Sequence, residues 1–297
     1  MLKIHTTILF ALLLTQLFAQ KFIVLYDKGD YEKCFEQCKK EIEKDKKNLD
    51  AYFYKSLSTL QLGLHTSNGE INIYKIEAAL NTLDFLQDKT NGKEYLAEHT
   101  EQYSFILNTA LAEAEKLIDD ENTKLALRLV NVLMKIDVLP EFMYASAKIK
   151  ILEGDEYAAL EEMNIAASEI YKAFTAGKIS KPYLPELFID LAHGIYSEGD
   201  IQSAYIIFYR AIKLFQTEYV ILEFYDQLNN SNLSYWSKNS DYELSINYTD
   251  SLAVFYADKK EIQALKWKLV GQYFNTIFQS GEIEEAKTIL QKYTCAS

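Results

Sequence analysis

The chain has 297 residues, with 43 acidic and 31 basic side chains and a formal net charge of −12. That charge repels phosphate backbones and anionic lipid surfaces at long range, and only Arg128 and Arg210 supply guanidinium groups, so nucleic acid is excluded as a partner. Ten glycines and three prolines are too few for many short strands and turns, and point to long helices.

The first stretch, Met1 to Gln20, carries one cation (Lys3), an apolar middle from Ile8 to Leu14, and Leu17-Phe18-Ala19. Its apolar run is shorter than the roughly 20 residues that span a bilayer. The pattern predicts a secretory signal peptide over residues 1–19, cleaved after Ala19, and a mature chain exported to the periplasm or beyond. No second long apolar run follows, so no transmembrane segment is expected after cleavage. The Asn-, Lys-, Ile- and Tyr-rich, Arg-poor composition suits an AT-rich bacterial genome. In that setting the N-x-[ST] sites at Asn229, Asn232 and Asn247 have no role. Three cysteines are too few for a disulfide framework in an oxidising compartment. Cys34 and Cys38, four apart on one helix face, read as two small buried side chains, and Cys295 as part of the C-terminal tail.

In the mature chain, Asp27-Lys28-Gly29-Asp30 forms a turn, and Tyr31 to Lys44 is amphipathic at helical period. Asn48-Leu49-Asp50 opens a helix ended by Gly63. Residues 64–71 form a loop, and Ile73 to Leu86 a further helix. After Thr90-Asn91-Gly92 a longer helix runs from Lys93 to Ile118. Thr123 to Ile136, Pro140 to Leu152 and Tyr157 to Phe174 follow. Residues 175–183 connect to a well-formed hairpin: Leu184 to Tyr196, the turn Gly199-Asp200, and Ile201 to Phe215. Glu218 to Leu228 is helical, and 229–240 is the most polar stretch. Tyr242 to Tyr256, Glu261 to Phe278 and Glu282 to Tyr293 complete the helices.

Four turns superpose, at Gly29, Gly154, Gly199 and Gly281. Five residues after each comes a small or slim side chain (Cys34, Ala159, Ala204, Ala286), and four further on a larger one (Cys38, Met163, Phe208, Leu290). This pattern resembles the tetratricopeptide repeat, a helix–turn–helix unit of about 34 residues. Leu191, Ala192, Ile195, Ala204, Phe208 and Ala211 fall where that family places its Leu, Gly, Tyr, Ala, large apolar and Ala positions. The unit lengths are uneven, and the family's Trp position holds Phe188 or Tyr52. The resemblance implies an all-α chain: a right-handed α-solenoid of about six to seven antiparallel helix pairs, forming one helical-repeat domain over 20–297. Each pair then buries its apolar face on its neighbours.

No catalytic signature accompanies the repeat: H-E-x-x-H, G-x-S-x-G and the phosphate-binding glycine loop are all absent. No cofactor, metal or enzymatic activity is expected. In the family that the chain resembles, the first helix of each pair lines a concave groove. Counting back from each turn glycine puts Phe53, Leu57 and Gln61, then Tyr144 and Lys148, then Ile189, His193 and Tyr196, then Asn275, Phe278 and Gln279 on that surface. A mixture of rings, aliphatics and amides suits an extended peptide, and the single cation disfavours an acidic C-terminus. The reading is a non-catalytic protein-interaction scaffold of the bacterial cell envelope with a protein or peptide partner. A helical glycan-binding protein, suggested by the tyrosines, and an α/α-toroid enzyme are the alternatives. Replacing Ala204 with Leu should destabilise the array by about 1–3 kcal/mol through overpacking; an unchanged melting temperature would show the register to be wrong.

Overall fold

The computed structural model describes residues 21–67, 69–230 and 239–294. The leader, the stretch from 231 to 238 with Asn232 and Trp236, and Cys295 lie outside the described residues. Among the described residues the only regular structure is helical, and the helices pack in adjacent pairs, as in an α-solenoid. The sequence reads as one run of pairs; the structure gathers it into two compact units that divide between Asp155 and Glu156.

The first unit contains α1 (Lys21–Asp27), α2 (Tyr31–Lys44), α3 (Leu49–Leu64), α4 (Ile73–Gln87), α5 (Gly92–Glu98), α6 (Thr100–Asp119), α7 (Thr123–Ile136) and α8 (Pro140–Leu152). Asparagine starts three of them: the side chains of Asn48, Asn72 and Asn122 accept the N–H of the residue three positions on. Pro140 opens α8 at a position that needs no N–H donor. Helices pack on their chain neighbours and also on later ones, α4 on α6 and α7, and α6 on α8. One continuous core runs from Tyr52 through Leu80, Leu107 and Leu129 to Ile149. A smaller cluster at the N-terminal end holds Phe22, Cys34, Cys38 and Ala51.

Two expectations for this unit are corrected. Gly63 does not end its helix. A Cβ there would meet Ile76 Cγ1 at 3.1 Å, and the Gly63 carbonyl accepts the Asn72 N–H at 2.8 Å, so this glycine permits the close approach of α3 to the start of α4. The long helix expected from Lys93 to Ile118 is two. At His99 the backbone leaves the helix (φ −111°, ψ 34°), while its Nδ1–H donates to the Tyr95 carbonyl (2.8 Å) and its ring stacks on Tyr95 with centroids 4.1 Å apart. That competing hydrogen bond and ring contact break a periodicity that the apolar pattern alone carries through.

The superposed turns share one geometry. Gly29, Gly154, Gly199 and Gly281 all have positive φ (76°, 84°, 88° and 89°). Each glycine N–H reaches the carbonyl three residues back, and the following N–H reaches the carbonyl five back, as in Gly199 to Tyr196 (3.0 Å) and Asp200 to Ile195 (3.2 Å). This is the Schellman closure of a helix C-terminus. A fifth turn matches it without glycine: Glu121 (φ 57°) donates to the Ile118 carbonyl at 2.9 Å, and Asn122 to that of Leu117 at 2.7 Å. Ala126 and Val130 then lie at the small and larger positions, both buried. Cys34, Ala159, Ala204 and Ala286 are buried as expected, and so are Cys38, Met163 and Phe208. Leu290 is exposed, and Ile289 is buried beside it instead.

The second unit contains α9 (Glu156–Thr175), α10 (Pro185–Ser197), α11 (Ile201–Phe215), α12 (Glu218–Asn230), α13 (Asn239–Leu252), α14 (Lys259–Gln279) and α15 (Ile283–Thr294). Helix α10 packs on α9, α11 and α12, and α11 on both α12 and α13. Rings hold its middle together. Phe208 and Phe224 stack at 5.1 Å, Tyr205 meets Phe224 and Tyr248 at 5.6 and 5.5 Å, and Ser245 Oγ–H donates to the Tyr205 hydroxyl. Tyr242 and Tyr273 stack at 4.9 Å between α13 and α14.

A side chain in the left-handed region costs about 1–2 kcal/mol that glycine does not. Glu121→Gly should therefore raise the unfolding free energy by about 1 kcal/mol, and Gly199→Ala should lower it by a similar amount, both read from urea midpoints at constant m-value.

Candidate functional site

The sequence places the binding surface on the first helix of each pair, and the structure buries five of its eleven positions. Phe53 and Leu57 are each 1% exposed, Tyr144 is 4% and Ile189 is 3%; Gln61 is buried too. A helix inside a stack is flanked by its own partner and by the next pair, which leaves it little free face. The inserted helix α5 closes the face of α3 further. The Phe53 ring packs against Tyr95 (5.7 Å) and His99 (5.3 Å), and Tyr95 O–H donates to Asp50 (2.5 Å).

The remaining predicted positions are partly or fully exposed. Lys148 folds its ammonium over the Tyr144 ring at 4.2 Å. His193 is hydrogen-bonded to Gln227 (3.0 Å) and Glu223 (3.4 Å) of α12, with its ring edge-on to Phe208 (5.1 Å), so it ties α10 to α12. Tyr196 stacks on Tyr205 at 6.2 Å. Asn275, Phe278 and Gln279 are exposed at the end of α14, where Phe278 stacks on Phe274 at 5.7 Å.

The open concavity of the second unit lies instead between the second helices α9 and α11, with α10 as its floor. One part, about 220 Å³, is bounded by Asn164, Ser168, Tyr171 and Lys172 of α9, Phe188 and Leu191 of α10, and Ile207 and Arg210 of α11. A second part, about 630 Å³, continues past Tyr157, Leu160 and Glu161 on one wall and Ser203, Ile206 and Ile207 on the other. The two share Asn164, Ile207 and Arg210 and so form one groove. Each wall is a helical ridge of spacing i, i+4, i+7: Asn164, Ser168 and Tyr171 face Ser203, Ile207 and Arg210. Gly194 allows the close approach of α10 to α9, since a Cβ there would lie 2.3 Å from Leu160 Cδ2.

The groove has an apolar floor, a rim of one amide and several hydroxyls, and a charge at each end. Tyr157 at its mouth is 82% exposed. The Arg210 guanidinium stands over the Tyr171 ring at 5.6 Å and has no carboxylate partner among the described residues. Arg128, by contrast, binds Glu77 through Nε (2.9 Å) and a terminal nitrogen (2.6 Å). At the other end stand Glu161, Glu198 and Asp200. Asp200 is already engaged: its Oδ1 accepts the Ser203 N–H at 3.0 Å, capping α11. Hydrogen bonds from the Ser203 side chain and backbone hold its carboxyl below the usual carboxylate value.

The first unit has a cleft of about 610 Å³ between α5, α6 and α8, floored by Leu96, Leu107 and Leu139 and edged by Asn108, Asp137 and Glu141. Nothing clusters there as a metal site: among the described residues no group of three His, Cys, Asp or Glu side chains could hold an ion. Cys34 and Cys38 are fully buried with their sulfurs 4.0 Å apart, and hydrogen bonding to Cys34 together with burial pushes the Cys38 thiol up. A protonated, enclosed thiol is packing material, not a nucleophile.

No protein-family model matches this chain, and no curated protein is similar to it in sequence. No helix among the described residues is long and apolar enough to cross a membrane.

None of the groove residues was reached from the sequence. The available signals were the scarcity of arginine, which singles out Arg210, and the matching ridges on α9 and α11; the count from the turn glycines looked only at the other helix of each pair. A carboxylate whose folded pKa is depressed stabilises the fold above its ordinary value, and that contribution is lost as pH falls through the folded value. Asp200→Ala should therefore cost about 1 kcal/mol at pH 7. The difference from wild type should shrink as the pH is lowered towards 2, checked by denaturant titration across that range.

Proposed function

We propose that the chain is a non-catalytic adaptor of the bacterial cell envelope, similar to degenerate tetratricopeptide repeat proteins. It is exported by its leader and holds an extended segment of a partner protein. The observation that carries this reading is the open groove between α9 and α11, whose apolar floor and hydrogen-bonding rim have the form that peptide segments use. The rim offers exposed rings, an amide, hydroxyls and one guanidinium, while the floor of Phe188 and Leu191, with Ile207 on the wall above it, gives side chains of the guest somewhere apolar to go. The turns of common geometry at Gly29, Glu121, Gly154, Gly199 and Gly281, each followed directly by a helix, support the family likeness.

A second reading has an observation of its own. On α14, Trp267 (40% exposed), Gly271, Phe274 and Phe278 (51% exposed) share one face, and nothing lies within 4 Å of a Cβ built on Gly271. Such a row of rings is a stacking platform for a glycan. Binding to an oligosaccharide array that is lost in Trp267→Ala would favour it.

A photo-reactive residue at Tyr157, on the groove mouth, should crosslink in envelope preparations to one defined protein. The same residue at Tyr74, which is 62% exposed in the first unit, should give little. Equal labelling from both positions, or none from Tyr157, would count against the adaptor reading.

A further inference from the structure

We infer that the groove between α9 and α11 selects a segment carrying one carboxylate and one cation, held about four residues apart by apolar side chains. This rests on the adaptor reading and adds to it the chemistry of the guest. Arg210 is exposed, and it carries five N–H donors with no carboxylate partner among the described residues. The Tyr171 ring at 5.6 Å holds it along the groove wall, so less freedom is lost when a carboxylate docks. Lys172 adds a second positive charge on the same side; its ion pair with Glu169 is exposed at both ends and therefore weak.

The opposite end has the opposite sign. Glu161 and Glu198 are exposed there and appear in no ion pair among the described residues, whereas Asp200 is spent on the α11 cap. Ser203 and Arg210 lie seven residues apart on α11, which is about 10 Å of helix. An extended segment covers that distance in about three to four residues. Between the charged ends, Ile206 and Ile207 on one wall and Leu160 on the other present apolar surface below the Asn164 amide of the rim. A guest with two acids would meet Glu161 and Glu198 as well as the general repulsion of a chain at −12. A guest with two bases would face Arg210 and Lys172. One of each sign satisfies both ends, and complementarity of this kind governs selectivity more than raw affinity.

Randomised heptapeptides displayed on phage, selected against the intact protein, test the inference. Enriched sequences should carry an acid and a base three to four residues apart, about tenfold more often than two charges of one sign. Arg210→Gln should remove the preference for the acid, Arg210→Lys should keep part of it, and Glu161→Gln with Glu198→Gln should remove the preference for the base. All three side chains are exposed, and unchanged melting curves would show that the variants fold. Enrichment of apolar or same-sign peptides, or a preference untouched by Arg210→Gln, overturns this inference and leaves the adaptor reading standing. Retention of no peptide at all overturns both.

Discussion

In the pairs closed by the two-bond turns at Gly29, Glu121, Gly199 and Gly281, a single residue in the left-handed region determines where the second helix can go. Its N–H and the next one turn back onto carbonyls that the ending helix leaves open, and the chain then re-enters helix within two residues. In these four the return direction is fixed by those two hydrogen bonds, so the side chain five residues on is driven against the first helix. That is why Cys34, Ala126, Ala204 and Ala286 are small and buried. A branched residue at any of them would hold the helices apart and disturb each contact further along the pair.

How much of this is legible in the chain depends on what the turn residue announces. Gly29, Gly154, Gly199 and Gly281 are visible because glycine is the residue that adopts such a φ without strain. Glu121 does the same work and is invisible, since nothing about a glutamate in an acidic turn marks a left-handed backbone. Helix limits such as Tyr31–Lys44 and Thr123–Ile136 follow from apolar period and capping residues, which are local. The break at His99 follows from a stack against Tyr95 and a tertiary contact with Phe53, and no window of sequence contains the second of these. Gly63 shows the converse error. Read locally a glycine near a helix end is a terminator, but here it is a point of contact with a helix that begins ten residues later.

The surface is harder to read for a physical reason. Apolar period identifies the face of a helix that is buried against its partner, but an internal helix of a stack is buried on further faces by neighbours whose positions the period does not encode. Helix α3 is the extreme case, with ten of its residues buried from Ala51 to Gly63. Positions Phe53, Leu57 and Gln61 have the spacing of a free ridge and are nonetheless covered, partly by α5, an insertion between α4 and α6. The second helices of the second unit are less enclosed, so the open ridges fall on α9 and α11.

An exposed arginine is fully hydrated and need not have a partner, so the energetic weight of Arg210 comes from its surroundings. Phe188, Leu191 and Ile207 exclude water from one side of the groove, and an occupant would exclude it from the other. In that enclosure a guanidinium–carboxylate contact is screened less than on open surface, and the attraction grows as the guest settles. The same enclosure penalises a guest that brings nothing to Arg210, because its donors would lose water without replacement. Selectivity in such a groove therefore arises as much from the cost imposed on the wrong segment as from attraction to the right one. In a chain with only two arginines, tying one of them to Glu77 and leaving the other in a groove puts that cost at one place on the surface.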